Sequence, residues 1–191
     1  MHPTSSSTST PAAATLRSSR AGIARNALTI GAGVVVLAIA AQLAIPFKPV
    51  PVTMQTLAVV LVGWALGGGR GLTAVSLYGA LGVAGLPILS AGTAGISPST
   101  GYLVGFVFSA ALVGKMNARR PLSGLRALAV FAIALALPYL PGLIWLSAST
   151  GVGAPWSVQV LSLGLTPFIP GDLMKLVAAA GVATGWRALR R

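Results

Sequence analysis

Six stretches of almost uninterrupted apolar residues divide this chain, separated by Gly, Pro, Ser, Thr and basic residues. They run from Ala27 to Ile45, Met54 to Leu66, Leu72 to about Leu86, Gly101 to Met116, Ala127 to about Ser147, and Pro170 to Trp186. Runs of this kind are what a hydrocarbon core of ~30 Å selects as spanning helices. The second and third are short, and crossing would require tilt or extension into their loops. Proline and glycine set the ends. Pro46-Phe47-Lys48-Pro49-Val50-Pro51 cannot continue the first helix, because proline lacks the N–H and clashes with the preceding turn. Gly67-Gly68-Gly69-Arg70-Gly71 separates the second run from the third, and Pro87 ends the third. Pro138 and Pro141 predict a kink in the fifth, tolerable where neighbouring helices satisfy freed carbonyls. Pro170 suits the first turn of the sixth. The Ser/Thr-rich residues 1–24 read as a disordered tail ahead of a membrane domain at 25–191.

Composition makes the class firm. The chain is 55% hydrophobic and 7% charged, so the expected fold is all-α and integral to a membrane, a six-transmembrane-helix bundle. Thirteen Lys and Arg against one acid give a net charge of +12. In a soluble domain that balance would suggest nucleic acid. Here the basic residues sit at the ends of apolar runs with no interleaved aromatics, so the charge carries topology and attracts anionic lipid instead. With the amino terminus inside, all basic residues except Lys48 and Lys175 fall on the inner side. Both termini are therefore expected to be cytoplasmic. A rival reading takes Arg17 to Arg25, the following apolar stretch and Ala38-Ile39-Ala40 as a secretory signal with its cleavage site, but the run is long for one. Ala27/Gly31 and Ala40/Ala44 space small residues four apart, which permits close approach of another helix and also arises by chance in Ala-rich sequence.

Candidate chemistry is sparse. There is no Cys, and the only His is His2, in the tail. One carboxylate supports neither paired acid/base work nor a metal cage, so an enzyme, a metal site and a cofactor are all poor expectations. Asp172 is that carboxylate, at the head of the sixth run, with Lys175 one helical turn deeper. An ionisable pair so close to hydrocarbon points to a functional site, although the two could simply neutralise each other. In the expected topology three unusual segments gather on the outer face: Ile45 to Leu57, with Thr53, Gln55 and Thr56; Pro87 to Tyr102, with the Gly/Ser/Thr loop containing Thr93 and Gly95; and Pro155 to Lys175. Together they could line a small apolar pocket with few polar groups. Asp172 would accept from ligand N–H groups and Lys175 donate to a carbonyl or carboxylate. Gln55 could equally bridge helices, and Tyr102 and Trp156 could be interfacial anchors. Gly67–Gly71 lacks the Gly-Lys-Ser/Thr ending of a phosphate loop and reads as a cytoplasmic turn.

Three motifs occur in order: Ile45-Pro46 with Pro49-Val50-Pro51-Val52-Thr53-Met54-Gln55-Thr56-Leu57, then Gly101-Tyr102-Leu103-Val104-Gly105-Phe106, then Phe168-Ile169-Pro170-Gly171-Asp172-Leu173-Met174-Lys175. Together they resemble the BioY family, the biotin-specific substrate-capture (S) components of energy-coupling factor (ECF) transporters. The resemblance implies high-affinity capture of biotin at the plasma membrane of a prokaryote. It also implies partnership with a transmembrane coupling protein and ABC-type ATPases, which would consume the ATP. Biotin would contact residues near Thr53 and Gln55, the loop from Gly92 to Tyr102 with Thr93 and Gly95, and Asp172 with Lys175. Asp172 is expected at the ureido ring, with a positive or hydroxyl group at the valerate carboxylate. Where the family often reads Gly-Pro-Thr-Gly-Gly-Tyr, this chain has Ser97-Pro98-Ser99-Thr100-Gly101-Tyr102. Competing expectations are a self-sufficient permease for another vitamin or small amide, and a non-transport structural subunit.

Overall fold

A computed structural model describes the backbone of residues 11 to 190 and the side chains from residue 22. The fold is predominantly helical: α1 (Pro11–Gln42), α2 (Gln55–Leu66), α3 (Gly68–Val83), α4 (Thr100–Arg119), α5 (Gly124–Ala136), α6 (Tyr139–Thr150), α7 (Val158–Gly164) and α8 (Ile169–Leu189). The expected tail divides. Its first ten residues, with His2, lie outside the described residues, as does Arg191, whereas from Pro11 the backbone already belongs to α1. Ala12, Ala13 and Ala14 favour helix, and lengthening an existing helix needs no new nucleus.

Each apolar run is found as a helix or a broken pair of helices. Four segments are long and apolar enough to cross a bilayer: Gly22–Gln42, Thr100–Arg119, Gly124–Thr150 and Val158–Leu189. The third of these is α5 continued by α6, interrupted at Leu137-Pro138 as the prolines foretold. The fourth is α7 and α8 joined by a 3-10 turn at Thr166–Phe168, with Pro170 in the first turn of α8. At 12 and 16 residues, α2 and α3 are shorter than the ~20 residues a perpendicular span needs. They turn back on each other at Gly67, whose φ of 82° suits glycine.

The Pro-rich segment after α1 forms a small antiparallel ladder, β1 (Ala44–Ile45) with β2 (Val52–Thr53), pairing Ala44 with Thr53. Large apolar side chains point outward along the long helices, among them Leu28, Ile39, Phe108, Ile133 and Val177. Such a surface is stable only against hydrocarbon. Inside, small residues bring backbones together: a Cβ on Gly63 would lie 2.6 Å from the Ala110 carbonyl, and one on Gly71 2.9 Å from Gly63 Cα, so α2, α3 and α4 touch nearly backbone to backbone.

Two clusters form the core. One joins α1, α2, α3, α4 and α6 around Leu37, Val59, Tyr78, Phe106 and Leu143; the other joins α4, α5 and α8 around Val113, Phe131, Ala134 and Ala179. Leu37, Ala40 and Ala41 of α1 belong to the first cluster, so the end of that run packs into the core. Ala40 is covered by the chain's own core, while Ala27 and Gly31 face outward.

Candidate functional site

One end of the bundle gathers the starts of α2, α4 and α8, the end of α1, and the break between α5 and α6. A narrow, mostly apolar cavity lies there, lined by Val50, Pro51, Thr53, Gln55, Thr56, Leu89, Ser90, Ser99, Tyr102, Phe106, Pro138, Tyr139, Phe168 and Lys175. All three segments singled out in the sequence contribute to this wall.

Charge enters on one side. Lys175 and Asp172 both face inward on α8, with Lys175 Nζ 3.0 Å from Asp172 Oδ1. The ammonium also donates to Thr56 Oγ1 at 2.9 Å. Tyr139 donates to the other carboxylate oxygen, Oδ2, at 2.5 Å, and the Thr56 hydroxyl lies 3.4 Å from Oδ1. Both carboxylate oxygens are thus held by the protein, a short charge-assisted bond among them. Lys175 lines the cavity, whereas Asp172 stands behind it, facing a groove between α5 and α8. The pair is buried, with side chains 6% and 12% exposed, and mutual neutralisation lowers the cost of that burial.

A second network crosses the opposite wall. Gln55 Oε1 accepts from Ser90 Oγ at 2.6 Å and Thr53 Oγ1 at 3.1 Å, while its Nε2 donates to Tyr78 Oη at 2.6 Å. Tyr78 Oη in turn donates a hydrogen bond to the Ile88 carbonyl at 3.0 Å. One amide therefore ties α2 to α3 and to the short 3-10 turn at Ser90–Gly92. Every buried side-chain polar atom among the described residues has a hydrogen-bond partner.

Aromatic rings complete the wall. Tyr102, Tyr139 and Phe168 form a triangle with centroids 6.2 to 6.3 Å apart. Tyr102 also donates to the Gly164 carbonyl at 2.8 Å, fastening α4 to α7. It is caged by glycine, since a Cβ on Gly142 would come within 2.5 Å of its ring and one on Gly164 within 2.6 Å of its hydroxyl. Trp145 Nε1 donates to the Ser97 carbonyl at 2.8 Å, holding the loop before α4 against α6.

A family model described as BioY family matches residues 7–191. The chain belongs to the BioY family. It is 35% identical over 159 residues to the biotin transporter BioY of Rhizobium etli, covering 77% of this chain and 83% of that one. Against the biotin transporter BioY2 of Lactococcus lactis subsp. cremoris it is 34% identical over 160 residues, covering 81% and 86%. The crystal structure at 2.1 Å of the S-component for biotin from an ECF-type ABC transporter matches with a TM-score of 0.73 over 87% of this chain and 93% of that one. At 24% identity that likeness establishes the fold. BioY membership and the apolar helices together make this a multi-pass membrane protein.

Within this BioY-family cavity the expected site residues separate into three groups. Thr53, Gln55, Tyr102 and Lys175 line it. Asp172 touches it only through Lys175 and Tyr139. Thr93 and Gly95 do not reach it: Thr93 bonds back to the Ser90 carbonyl at 2.9 Å, and Gly95, at φ 77°, donates its N–H to the Gly82 carbonyl at 2.8 Å. These two shape the loop that presents Ser90. Trp156 is 55% exposed, consistent with an anchor at the membrane boundary. Tyr139, Ser90 and Tyr78 went unnoticed in the sequence. Tyr139 left a readable trace, being a hydroxyl inside an apolar run directly after a kinking proline.

Proposed function

We propose that this chain is the biotin-binding S component of an ECF-type ABC transporter and that biotin occupies the cavity beside Lys175. The observation that carries the proposal is a buried ion pair of zero net charge, with Lys175 lining a cavity with aromatic walls and Asp172 directly behind it. A cyclic urea presents a carbonyl acceptor next to N–H donors. Lys175 donates to the ureido carbonyl, and Asp172 accepts a ureido N–H in place of the Tyr139 hydroxyl. The apolar bicycle lies against Tyr102, Phe106 and Phe168. Ser99 and the first turn of α4, the positive end of a 20-residue helix, receive the valerate carboxylate. Family membership and the names of the relatives, biotin transporters rather than enzymes, support the same reading.

The rest of the reading rests on the family resemblance, and the orientation of the termini on the charge pattern. Residues 25–191 form the six-span biotin-binding domain, with cytoplasmic termini, in the plasma membrane of a prokaryote. ATP is used by partner ATPases, and a transmembrane coupling protein docks on the exposed small-residue face of α1 at Ala27 and Gly31, where a Cβ on Gly31 would meet nothing. The alternative, a self-sufficient permease for another vitamin or small amide, would sustain uptake without an ATPase.

The test is binding of radiolabelled biotin and of biotin amide to purified wild type, Asp172→Asn and Ser99→Ala. Asp172→Asn loses both ligands. Ser99→Ala weakens biotin and leaves the amide unchanged. Wild-type affinity for biotin in Asp172→Asn removes that residue from the site, and wild type that fails to bind biotin at all sinks the assignment.

A further inference from the structure

At the end of the bundle opposite the biotin cavity, where α2, α4 and α8 finish and α5 begins, lies a second and larger cavity of about 530 Å³. Its walls include Trp64, Asn117, Leu122, Trp186, Arg187 and Arg190. We infer that this cavity binds the headgroup of an anionic glycerophospholipid, with Arg187 and Arg190 holding its phosphate.

Three features carry the inference. The first is charge without a counterpart. The chain's one acidic side chain, Asp172, is paired with Lys175 near the other end of the bundle, while Lys115, Arg119, Arg120 and Arg126 crowd the same end as Arg187 and Arg190. The carboxyl-terminal ends of α2, α4 and α8 contribute only about half a negative charge each. Among the described residues no acidic side chain faces these arginines, which leaves them open to an anion from outside the chain.

The second is that the two arginines are positioned and still have donors available. Arg187 Nη1 donates to Ser123 Oγ at 2.7 Å and lies 3.4 Å from the Pro121 carbonyl, which fixes the guanidinium against the α4–α5 turn. Both contacts use one nitrogen. Among the described residues nothing engages Nη2 or Nε, the fork that suits phosphate oxygens. The Arg190 guanidinium lies 4.6 Å above the Trp186 ring and forms no hydrogen bond among the described residues.

The third is the amphipathic lining. Trp64 and Trp186 meet edge to face at 6.5 Å, beside Leu122 and Ala183, so an apolar wall runs on from the basic mouth. Paired tryptophans of this kind favour the boundary between headgroups and hydrocarbon. The polar atoms of Asn117 are already satisfied, its Nδ2 donating to the Trp64 carbonyl at 3.1 Å and its Oδ1 accepting from the Leu122 N–H at 3.0 Å. Asn117 therefore braces the wall and leaves recognition to the arginines. A soluble phosphate would use the arginines and gain nothing from the indoles. A lipid phosphate with its acyl chains uses both.

Native mass spectrometry of the full chain, with dioleoylphosphatidylglycerol titrated against dioleoylphosphatidylcholine, tests this directly. Wild type retains one phosphatidylglycerol in preference to phosphatidylcholine. R187Q and R190Q each weaken that retention about fivefold, the effect of roughly one lipid-facing basic residue. A control, K115Q/R70Q, removes two charges from the same end without touching the cavity and retains the lipid like wild type. Biotin-induced thermal stabilisation checks that each variant is folded, because neither arginine contacts the biotin cavity. Equal retention of the two lipids overturns the inference. So does an equal loss in the control, which would mean diffuse attraction, or glycerol phosphate competing as well as the intact lipid, which would mean a soluble anion.

Discussion

An ammonium and a carboxylate 3.0 Å apart, each shielded from water, hold one another in place at a cost that neither could bear alone. Removing one partner leaves the other charge uncompensated, so Asp172→Asn and Lys175→Met are each expected to destabilise the fold by about 3–5 kcal/mol. The double variant carries no buried charge and recovers much of that stability in thermal unfolding. Biotin binding does not return with it, because donor and acceptor are both gone. A double variant that binds biotin like wild type would reduce the pair to a structural device. Gln55 makes a different case, since three hydroxyl groups converge on one amide. Gln55→Leu leaves buried hydroxyls on Tyr78 and Ser90 short of a partner, at roughly 1–3 kcal/mol for each group that finds no other. Fluorescence-monitored unfolding should show the loss even without ligand.

At the level of elements, the punctuation of the chain was legible and the packing was not. Pro46 to Pro51, Gly67 and Pro138 mark breaks because they act on the backbone locally, and the helices stop or bend there. What escaped notice is α7 and the 3-10 turn after it, which bring Gly164 under Tyr102. No local signal says that α4, α6 and α7 must close on one ring. Gly142 is where this closure is most exposed to test. An added methyl would meet the Tyr102 ring, and overpacking of this kind costs about 1–3 kcal/mol. Gly142→Ala is therefore expected to lower thermal stability and weaken biotin binding together, with Tyr102→Phe at Gly142→Ala failing to restore either. Normal stability and affinity in Gly142→Ala would mean that the ring is free to move.

For the whole molecule, most basic residues lie towards one end and the cavity towards the other, with Lys48 and Lys175 the exceptions, and the proposed orientation puts the cavity on the outer side. The absence of native cysteine makes orientation easy to measure. Ala94→Cys, in the exposed loop near the cavity, is expected to react with an impermeant maleimide on intact cells, and Pro121→Cys only after lysis. The reverse pattern would invert the topology. Uptake of biotin into cells should also stop when the partner ATPases are inactivated while binding persists, and uptake that continues would favour the self-sufficient permease.

Composition and spacing were enough to determine a helical membrane protein, the helix breaks, the end that carries positive charge, and the one acid worth suspecting, because each follows from the cost of putting a backbone or a charge into hydrocarbon. Only the tertiary structure decided that Lys175 faces the cavity with Asp172 behind it, that Tyr139 caps the carboxylate, and that Thr93 and Gly95 stand back from the wall. Thr56 and Lys175 are separated by 119 residues and meet at 2.9 Å. A contact of that kind is set by how the helices pack, through glycines whose missing side chains permit close approach, and that information is spread over the whole chain rather than held at either residue.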